Sequence, residues 1–175
     1  MIIYKVLGKD GYLDLQFKNY DSDKMLIKFL SEENSVLNEW GMPEVDIITK
    51  GKKGDCPTFW VSTQLVVVSE KAKNELKDVW KADNVELLPM KCGDTTYYML
   101  HIMQIQDISY DYGESYSIVF DKNQCEKNSI TDKYLFRSYL KGTYKDRSIF
   151  VTDKFIERIS DSDLKGFGFK KVWEE

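Results

Sequence analysis

Apolar residues recur along the chain in short runs that predict strands. The runs are rich in Val, Ile, Leu, Tyr and Phe, and they occupy residues 2–7, 12–17, 65–68, 85–90, 97–103, 117–120, 135–137 and 147–151. Runs of this length and composition, separated by polar or Gly-containing segments, are typical of strands. Residues 8–11 read Gly-Lys-Asp-Gly, a turn that predicts an opening hairpin between the first two runs.

A helix is predicted directly after the third run. Ser69 is suited to cap the start of this helix, and Glu70 follows at the positive end of the helix dipole. The next apolar residues lie on one stripe, at i, i+4, i+7 and i+8: Ala72, Leu76, Val79 and Trp80. This spacing is typical of a helix that lies on a sheet.

The same order of residue types occurs again 83 positions later, where Val151, Thr152 and Asp153 match Val68, Ser69 and Glu70. The second copy predicts another helix, with Thr152 as its hydroxyl cap. Two interpretations are open. Any well-capped strand–helix junction has this pattern, which is the interpretation we favour, and internal duplication is the other. Both predict two helices packed on one sheet.

Two other segments are less regular. Residues 21–33 fit either a buried strand over residues 25–30 or a helix behind a cap at Asp21 or Ser22, whose apolar face comprises Met25, Leu26, Phe29 and Leu30. Residues 40–48 predict an irregular or edge-strand segment, and residues 50–57 predict a Gly-rich loop.

The closing segment, residues 164–173, contains Gly-x-Gly at Gly166 and Gly168. Because it lacks a third glycine and does not lead from a strand into a helix, it does not indicate a dinucleotide site. We expect Gly166 to end a helical segment in a left-handed conformation, and Phe167, Phe169 and Trp173 to bury alternate side chains of a last strand.

Composition limits the class of protein. The 175 residues, 42% hydrophobic and 14% aromatic, suffice for one core without disulfides or a structural metal. We predict a single α+β domain, residues 1–175, with a mostly antiparallel sheet and two principal packed helices. The three cysteines show no Cys-x-x-Cys spacing, which argues against a zinc site and favours the reducing cytoplasm. No apolar run is long enough for a signal peptide or a membrane span, so no membrane association is expected.

The net charge of −4 is concentrated in one part of the sequence. Residues 107–126 contain five acids and one base, Lys122, so this segment alone equals the net charge of the chain. A nucleic-acid-binding protein usually shows the opposite sign, and none is expected as a partner. Within the segment, Asp111, Tyr112, Glu114 and Tyr116 combine aromatic rings with carboxylates, the mixture expected where a protein captures a basic partner. The alternative is a Tyr-rich hairpin whose acids simply face solvent.

No group of residues predicts catalysis. His101 is the single histidine and lies in a strand-like run, with no nucleophile motif in the sequence, so a structural role is favoured over a catalytic one. Acidic pairs such as Asp161 and Asp163 do not follow the spacing of a calcium loop. We therefore expect neither an enzyme nor a bound metal or cofactor.

Seven motifs, in this order, resemble immunity protein family eleven of bacterial polymorphic toxin systems, long catalogued as a domain of unknown function. They are GDCPTF (residues 54–59), LVVVSEKAKNEL (65–76), VELLPM (85–90), YYMLHIM (97–103), DYGES (111–115), IFVTDKF (149–155) and LKGFGFKKVW (164–173). Of the acidic stretch of that family, Asp111 and Ser115 match. Residues 1–50 form a variable N-terminal part outside the resemblance.

The resemblance implies a cytoplasmic inhibitor that neutralises a cognate toxin, expected to be basic, through a stoichiometric protein–protein interaction. Such a protein requires no catalytic residue. Two alternatives stay open: a small hydrolase that uses His101, and a ligand-binding regulatory module.

Overall fold

The computed structural model describes residues 1–19, 28–60, 62 and 64–175. Thirteen strands and five short helices have defined bounds within these residues. The strands are β1 Ile2–Gly8, β2 Asp14–Phe17, β3 Val45–Thr49, β4 Thr58–Phe59, β5 Val67–Ser69, β6 Val85–Cys92, β7 Thr95–Ile102, β8 Ile105–Tyr112, β9 Ile118–Phe120, β10 Leu135–Leu140, β11 Tyr144–Lys145, β12 Phe150–Thr152 and β13 Phe167–Glu174. The helices are α1 Leu37–Trp40, α2 Glu70–Glu75, α3 Lys77–Ala82, α4 Lys122–Lys127 and α5 Asp153–Ser160.

The described strands form three sheets instead of the single sheet expected. A seven-stranded sheet has the order β13-β1-β12-β10-β8-β9, with β11 paired to β10, and two three-stranded sheets have the orders β3-β2-β4 and β5-β7-β6. Strand pairing is mostly antiparallel, as predicted, with parallel pairs at β2–β4 and β8–β10. The mixed α and β content is confirmed and is compatible with a single domain, but two principal helices are not supported.

The predicted opening hairpin is wrong. β1 pairs with β12 and β13, whereas β2 pairs with β3 and β4, so the turn at residues 9–12 carries the chain from one sheet to another. Gly11, with φ of +83°, allows this departure. The backbone of Lys52 then hydrogen bonds to Gly11 and Leu13 on either side of the turn. A local turn signal could not show that β1 has partners near the other end of the chain.

The predicted helical stripe is confirmed, because Ala72, Leu76, Val79 and Trp80 are all buried. The helix is interrupted at Leu76, whose φ of −103° separates α2 from α3. Two six-residue helices therefore replace one longer helix.

Buried side chains form three clusters. The first lies between the β5-β7-β6 sheet and the seven-stranded sheet, and it includes α2, α3 and α5, with the rings of Trp80 and Phe155 6.5 Å apart. The second joins the β3-β2-β4 and β5-β7-β6 sheets around Trp40 and Met99. The third lies under the seven-stranded sheet, where Phe120, Phe136 and Phe150 pack together. The two predicted helices thus pack in one core between two sheets, and not on a single sheet.

The repeat seen in the sequence extends well beyond the two strand–helix junctions. Strand β5 leads through α2 and α3 to β6 and pairs with β7; strand β12 leads through α5 to β13 and pairs with β1. In each unit the central strand, β7 or β1, lies between the other two. A tyrosine on each central strand hydrogen bonds to the first acid of the helix: Tyr98 to Glu70, and Tyr4 to Asp153 at 3.0 Å. The same arrangement therefore occurs twice, and the second copy takes its central strand from the start of the chain.

The remaining predictions have mixed outcomes. Strand β3 is an edge strand, as expected. Within residues 21–33, Met25 and Leu26 lie outside the described residues, whereas Phe29 and Leu30 are buried in the second cluster. Gly166 has φ of +90°, but α5 ends at Ser160, so Gly166 precedes β13 instead of ending a helix.

The closing strand β13 contributes to two clusters. Phe167 and Phe169 pack against Phe155 in the first cluster, and Trp173 packs in the third. A register shift opposite Ile3 and Tyr4 separates the two parts of the strand. The predicted burial is therefore confirmed for Phe167 and only in part for Phe169 and Trp173, and Trp173 packs against a different cluster from the other two.

Candidate functional site

The hairpin formed by β8 and β9 brings together the residues proposed for partner binding. β9 stands at the end of the strand order of the seven-stranded sheet, opposite β13. All four residues, Asp111, Tyr112, Glu114 and Tyr116, are exposed, and Tyr116 is 87% exposed. Val119, directly opposite Asp111 in the ladder, is also exposed and belongs to the same region. We call these five residues the hairpin surface.

The turn of the hairpin has an unusual backbone. Ser115 and Tyr116 both have positive φ, +55° and +58°, a conformation that costs on the order of 1 kcal/mol or more for each non-glycine residue. Three hydrogen bonds close the turn: Gly113 N to Ser117 O at 2.8 Å, Ser117 N to Glu114 O at 3.1 Å and Ser117 Oγ to Glu114 O at 2.8 Å. A side chain at Gly113 would lie 2.9 Å from Val119. The turn is therefore closed by its own hydrogen bonds.

The exposed tyrosines are connected to the third core cluster. The ring of Tyr116 lies 6.4 Å from that of Tyr112, which lies 5.8 Å from buried Tyr110, both edge to face. The hydroxyl of Tyr110 donates to Asp146 Oδ2 at 2.7 Å. Burial, and then the Asp146 carboxylate, raises the pKa of Tyr110, so this phenol remains a neutral donor. The hairpin surface is thus continuous with the aromatic packing of the third cluster.

All five acids of residues 107–126 are exposed, but they differ in the contacts that they make. Asp121 caps α4 by accepting from Gln124 N at 2.9 Å, and Glu126 lies 3.7 Å from Lys122. Lys122 also pairs with Glu175. Asp111 and Glu114 lie on the hairpin surface, where Asp111 Oδ1 accepts from the neighbouring Tyr112 N at 2.7 Å. Val119 was not predicted to lie there, because Ile118, Val119 and Phe120 are all apolar and the sequence does not show which of them faces outward.

His101 lies elsewhere, in a fully buried position on β7. Its Nδ1 is 3.1 Å from Glu86 Oε2, and its Nε2 is 3.0 Å from the carbonyl oxygen of Glu32. Glu86 also accepts from the hydroxyl of Ser35. A hydrolytic triad needs the imidazole between the hydroxyl and the carboxylate, whereas here the carboxylate is in the middle. This arrangement does not activate Ser35.

A polar groove of about 620 Å³ lies at the start of α2. Its lining includes Asp55 and Ser69, joined by a 2.7 Å hydrogen bond from Ser69 Oγ to Asp55 Oδ1, together with Asp94, Thr96 and Tyr97. Ser69 Oγ also accepts from Ala72 N at 3.1 Å and so caps the helix, as predicted. The Ser69 hydroxyl thus donates one hydrogen bond and accepts another within the fold, so its role is structural.

Three further findings concern metals, thiols and membranes. Across residues 1–19, 28–60, 62 and 64–175, no three His, Cys, Asp or Glu side chains gather in a way that could hold a metal ion. The three cysteines are free thiols; burial raises the pKa of Cys56 to about 12 and that of Cys125 to about 11. None of the described helices has the length and apolarity needed to cross a bilayer.

Comparison with protein-family models gives no match, and comparison with curated proteins gives none either.

Proposed function

We propose that this chain is an immunity protein that binds and neutralises a cognate bacterial toxin in the cytoplasm, by a stoichiometric protein–protein interaction at the hairpin surface. The observation that carries the proposal is Tyr116, 87% exposed on a closed turn beside Asp111 and Glu114. Residues with a strained backbone are concentrated at functional sites in proteins, which supports a role for this turn.

The hairpin surface has the chemistry of a protein interface. Tyrosines offer large rigid contact area at low entropy cost, and a few such anchors contribute most of the binding energy of an interface. Exposed carboxylates accelerate encounter with a basic partner. A stable complex requires roughly 1,200 Å² or more of buried surface, so neighbouring residues would add to the contact.

A direct test needs a candidate toxin domain, and the proposal expects one to be encoded beside this chain. Co-expression should protect cells, and the purified proteins should form a one-to-one complex. In the double variant Asp111→Lys, Glu114→Lys, association at low salt should slow by about tenfold or more. In Tyr116→Ala, the dissociation constant should rise by about tenfold, the effect of losing an anchor worth more than 1 kcal/mol.

Asp161→Lys, Asp163→Lys is the matched control, because it makes the same charge change at acids outside the hairpin surface. This control should bind like the wild type. Equal effects of the two double variants would show that net charge, and not the hairpin surface, determines binding. Absence of any complex would contradict the proposed function.

The polar groove gives one observation in favour of the ligand-binding alternative. Its volume of about 620 Å³ lies in the range of small-molecule sites, roughly 300–1,000 Å³. Thermal stabilisation by a small metabolite, removed by Asp94→Ala or Thr96→Ala, would favour that alternative over toxin binding. The buried position of His101 gives no comparable support to a hydrolase.

A further inference from the structure

Exposed apolar side chains occur at strand β3 as well as on the hairpin surface. Met42, Ile47 and Ile48 are between 38% and 48% exposed, and the two isoleucines are neighbours on β3. The residues of β3 on either side of them, Asp46 and Thr49, are exposed too. Exposed apolar side chains grouped in this way are typical of a surface that contacts another protein.

One edge of β3 is free. β3 ends the order β3-β2-β4, and within the described residues no strand pairs with its other side. Only its start is covered there, where Lys91 N donates to Pro43 O at 2.9 Å. Ile47 stands opposite Leu15, whose carbonyl oxygen accepts from Trp60 N, directly after β4, at 2.8 Å. The main-chain polar groups of Leu15 therefore face β4, and those of Ile47 face the free edge.

The two ends of this edge carry charges of opposite sign. Glu44 and Asp46 lie at its start, and Lys50 and Lys52 follow its end, where both are exposed. Lys18 neighbours the two acids, with its Nζ 3.1 Å from Glu44 Oε2 and 3.9 Å from Asp46 Oδ1. All three of these side chains nevertheless stay more than half exposed. The edge is thus acidic where β3 begins and basic where it ends.

An edge with this charge pattern is complementary to a second copy of itself. When two β3 strands lie antiparallel around Ile47 and Ile48, the acidic start of one copy lies beside the basic end of the other. Asp46 and Lys50 then meet twice, opposite or diagonal to each other, within the reach of long side chains. A parallel arrangement would place like charges side by side. The pattern therefore selects the antiparallel pairing, which has the two-fold symmetry of most protein dimers.

We propose that two copies of this chain associate through β3, whose free edges pair antiparallel around Ile47 and Ile48 and join two β3-β2-β4 sheets into one. Ile48 has no partner on β2, where the register shifts, and such a bulge keeps the paired segment short. A pairing of about five residues buries less than the roughly 1,200 Å² of a stable complex, so the dimer is weak. The hairpin surface lies on another sheet, so self-association does not require the toxin.

Sedimentation velocity of the full chain tests this dimer, because mass action should convert monomer to dimer between about 10 µM and about 1 mM. Ile47→Lys should lower the association constant about tenfold or more, because like charges would then meet near the two-fold axis. Tyr144→Lys is the matched control, since Tyr144 is 55% exposed on another strand, β11, and this variant should associate like the wild type. A wild-type chain that stays monomeric, or equal association constants for the two variants, would overturn the proposal.

Two charge reversals on exposed side chains test the antiparallel pairing itself. Asp46→Lys sets a new lysine beside Lys50 of the second copy, and Lys50→Asp sets a new carboxylate beside its Asp46. Each variant alone should therefore associate about tenfold more weakly than the wild type. Mixed in equal amounts, the two variants should form a heterodimer of about wild-type strength, because both cross-strand pairs are then of opposite sign. A mixture that associates no better than either variant alone would overturn the proposal.

Discussion

At the scale of single residues, several buried polar side chains join segments that are distant in sequence. Asp83 ends α3 and is buried, yet its Oδ2 accepts from Tyr134 N at 2.8 Å and from Leu135 N at 3.0 Å. It therefore connects α3 to the start of β10. Burial raises the pKa of Asp83, although these two backbone hydrogen bonds and Lys133 act in the opposite direction.

Replacing Asp83 should distinguish the contribution of its charge from that of its hydrogen bonds. Asp83→Ala leaves two buried backbone donors without a partner and should lower the free energy of unfolding by about 3 kcal/mol. Asp83→Asn keeps an acceptor oxygen without the cost of a buried charge, so its change should stay within about 1 kcal/mol. Urea unfolding at neutral pH measures both values.

The pH dependence of the free energy of unfolding provides an independent check on the role of the Asp83 carboxyl group. Because the folded protein binds the proton of this carboxyl more tightly than the unfolded chain does, wild-type stability gains relative to Asp83→Asn as pH falls through the raised pKa. The opposite trend would show that the folded state favours the ionised carboxylate.

The sequence could not reveal these residue-scale roles. Asp83 stands in a polar stretch, Lys-Ala-Asp-Asn, where an exposed side chain is the ordinary expectation. The hairpin surface was more accessible to prediction, because the Asp-Tyr-Gly-Glu-Ser turn follows a strand and its polar and aromatic residues belong at a surface. The positive φ of Ser115 and Tyr116 had no sequence signal, since neither residue type favours it.

At the scale of elements, the two similar strand–helix junctions differ in how their hydroxyl groups are used. Ser69 caps α2 by accepting from Ala72 N. Thr152 precedes α5 in the equivalent position, but its hydroxyl makes no cap and donates instead to Lys133 O at 2.5 Å. The predicted capping role of Thr152 is therefore wrong: this side chain fastens β12 to the segment before β10.

Replacing Ser69 and replacing Thr152 should have different effects on stability and on amide exchange at the start of each helix. Ser69→Ala removes the cap and the partner of Asp55, and it should cost about 2 kcal/mol of unfolding free energy while exchange at Ala72 accelerates. Thr152→Val removes one hydrogen bond at similar volume and should cost about 1 kcal/mol. Exchange at the first amides of α5 should not change in Thr152→Val. Faster exchange there would mean that Thr152 does cap the helix.

Element positions were predicted better than element partners. Each of the eight apolar runs overlaps an observed strand, but the eight-residue strand β8 was not among them. Pairing depends on contacts between residues far apart in sequence, which is why the number of sheets and the partners of β1 were not predicted. The interruption at Leu76 was also hidden, because the apolar stripe continues through it.

At the scale of the whole molecule, the repeated arrangement relates β6 and β7 to β13 and β1. In the first unit, a two-residue turn at Gly93 and Asp94 joins the outer and central strands. In the second unit, the corresponding strands belong to opposite ends of the chain, and Glu175 N donates to Met1 O at 3.2 Å. The pairing of β13 with β1 therefore forms without a covalent turn.

A circular permutant should exploit this equivalence. A short Gly/Ser linker from Glu175 to Met1, with new ends between Gly93 and Asp94, should fold with the loss of about 1–3 kcal/mol of stability, because it only exchanges one loop closure for another. A permutant opened between Met99 and Leu100, inside buried strand β7, is the control and should not fold. Thermal melts followed by circular dichroism would measure both. Failure of both permutants alike would argue against the equivalence of the two units.

The backbone contact between Met1 and Glu175 also determines how the protein responds to mechanical load. Because β1 and β13 run antiparallel, tension applied between these two residues would break their ladder bonds one after another, from the open end inward, as in a zipper. Loads of this geometry meet little resistance compared with shear, in which all bonds carry the force together. A force applied to both residues would therefore separate β13 from the sheet first and expose Phe167, Phe169 and the first core cluster.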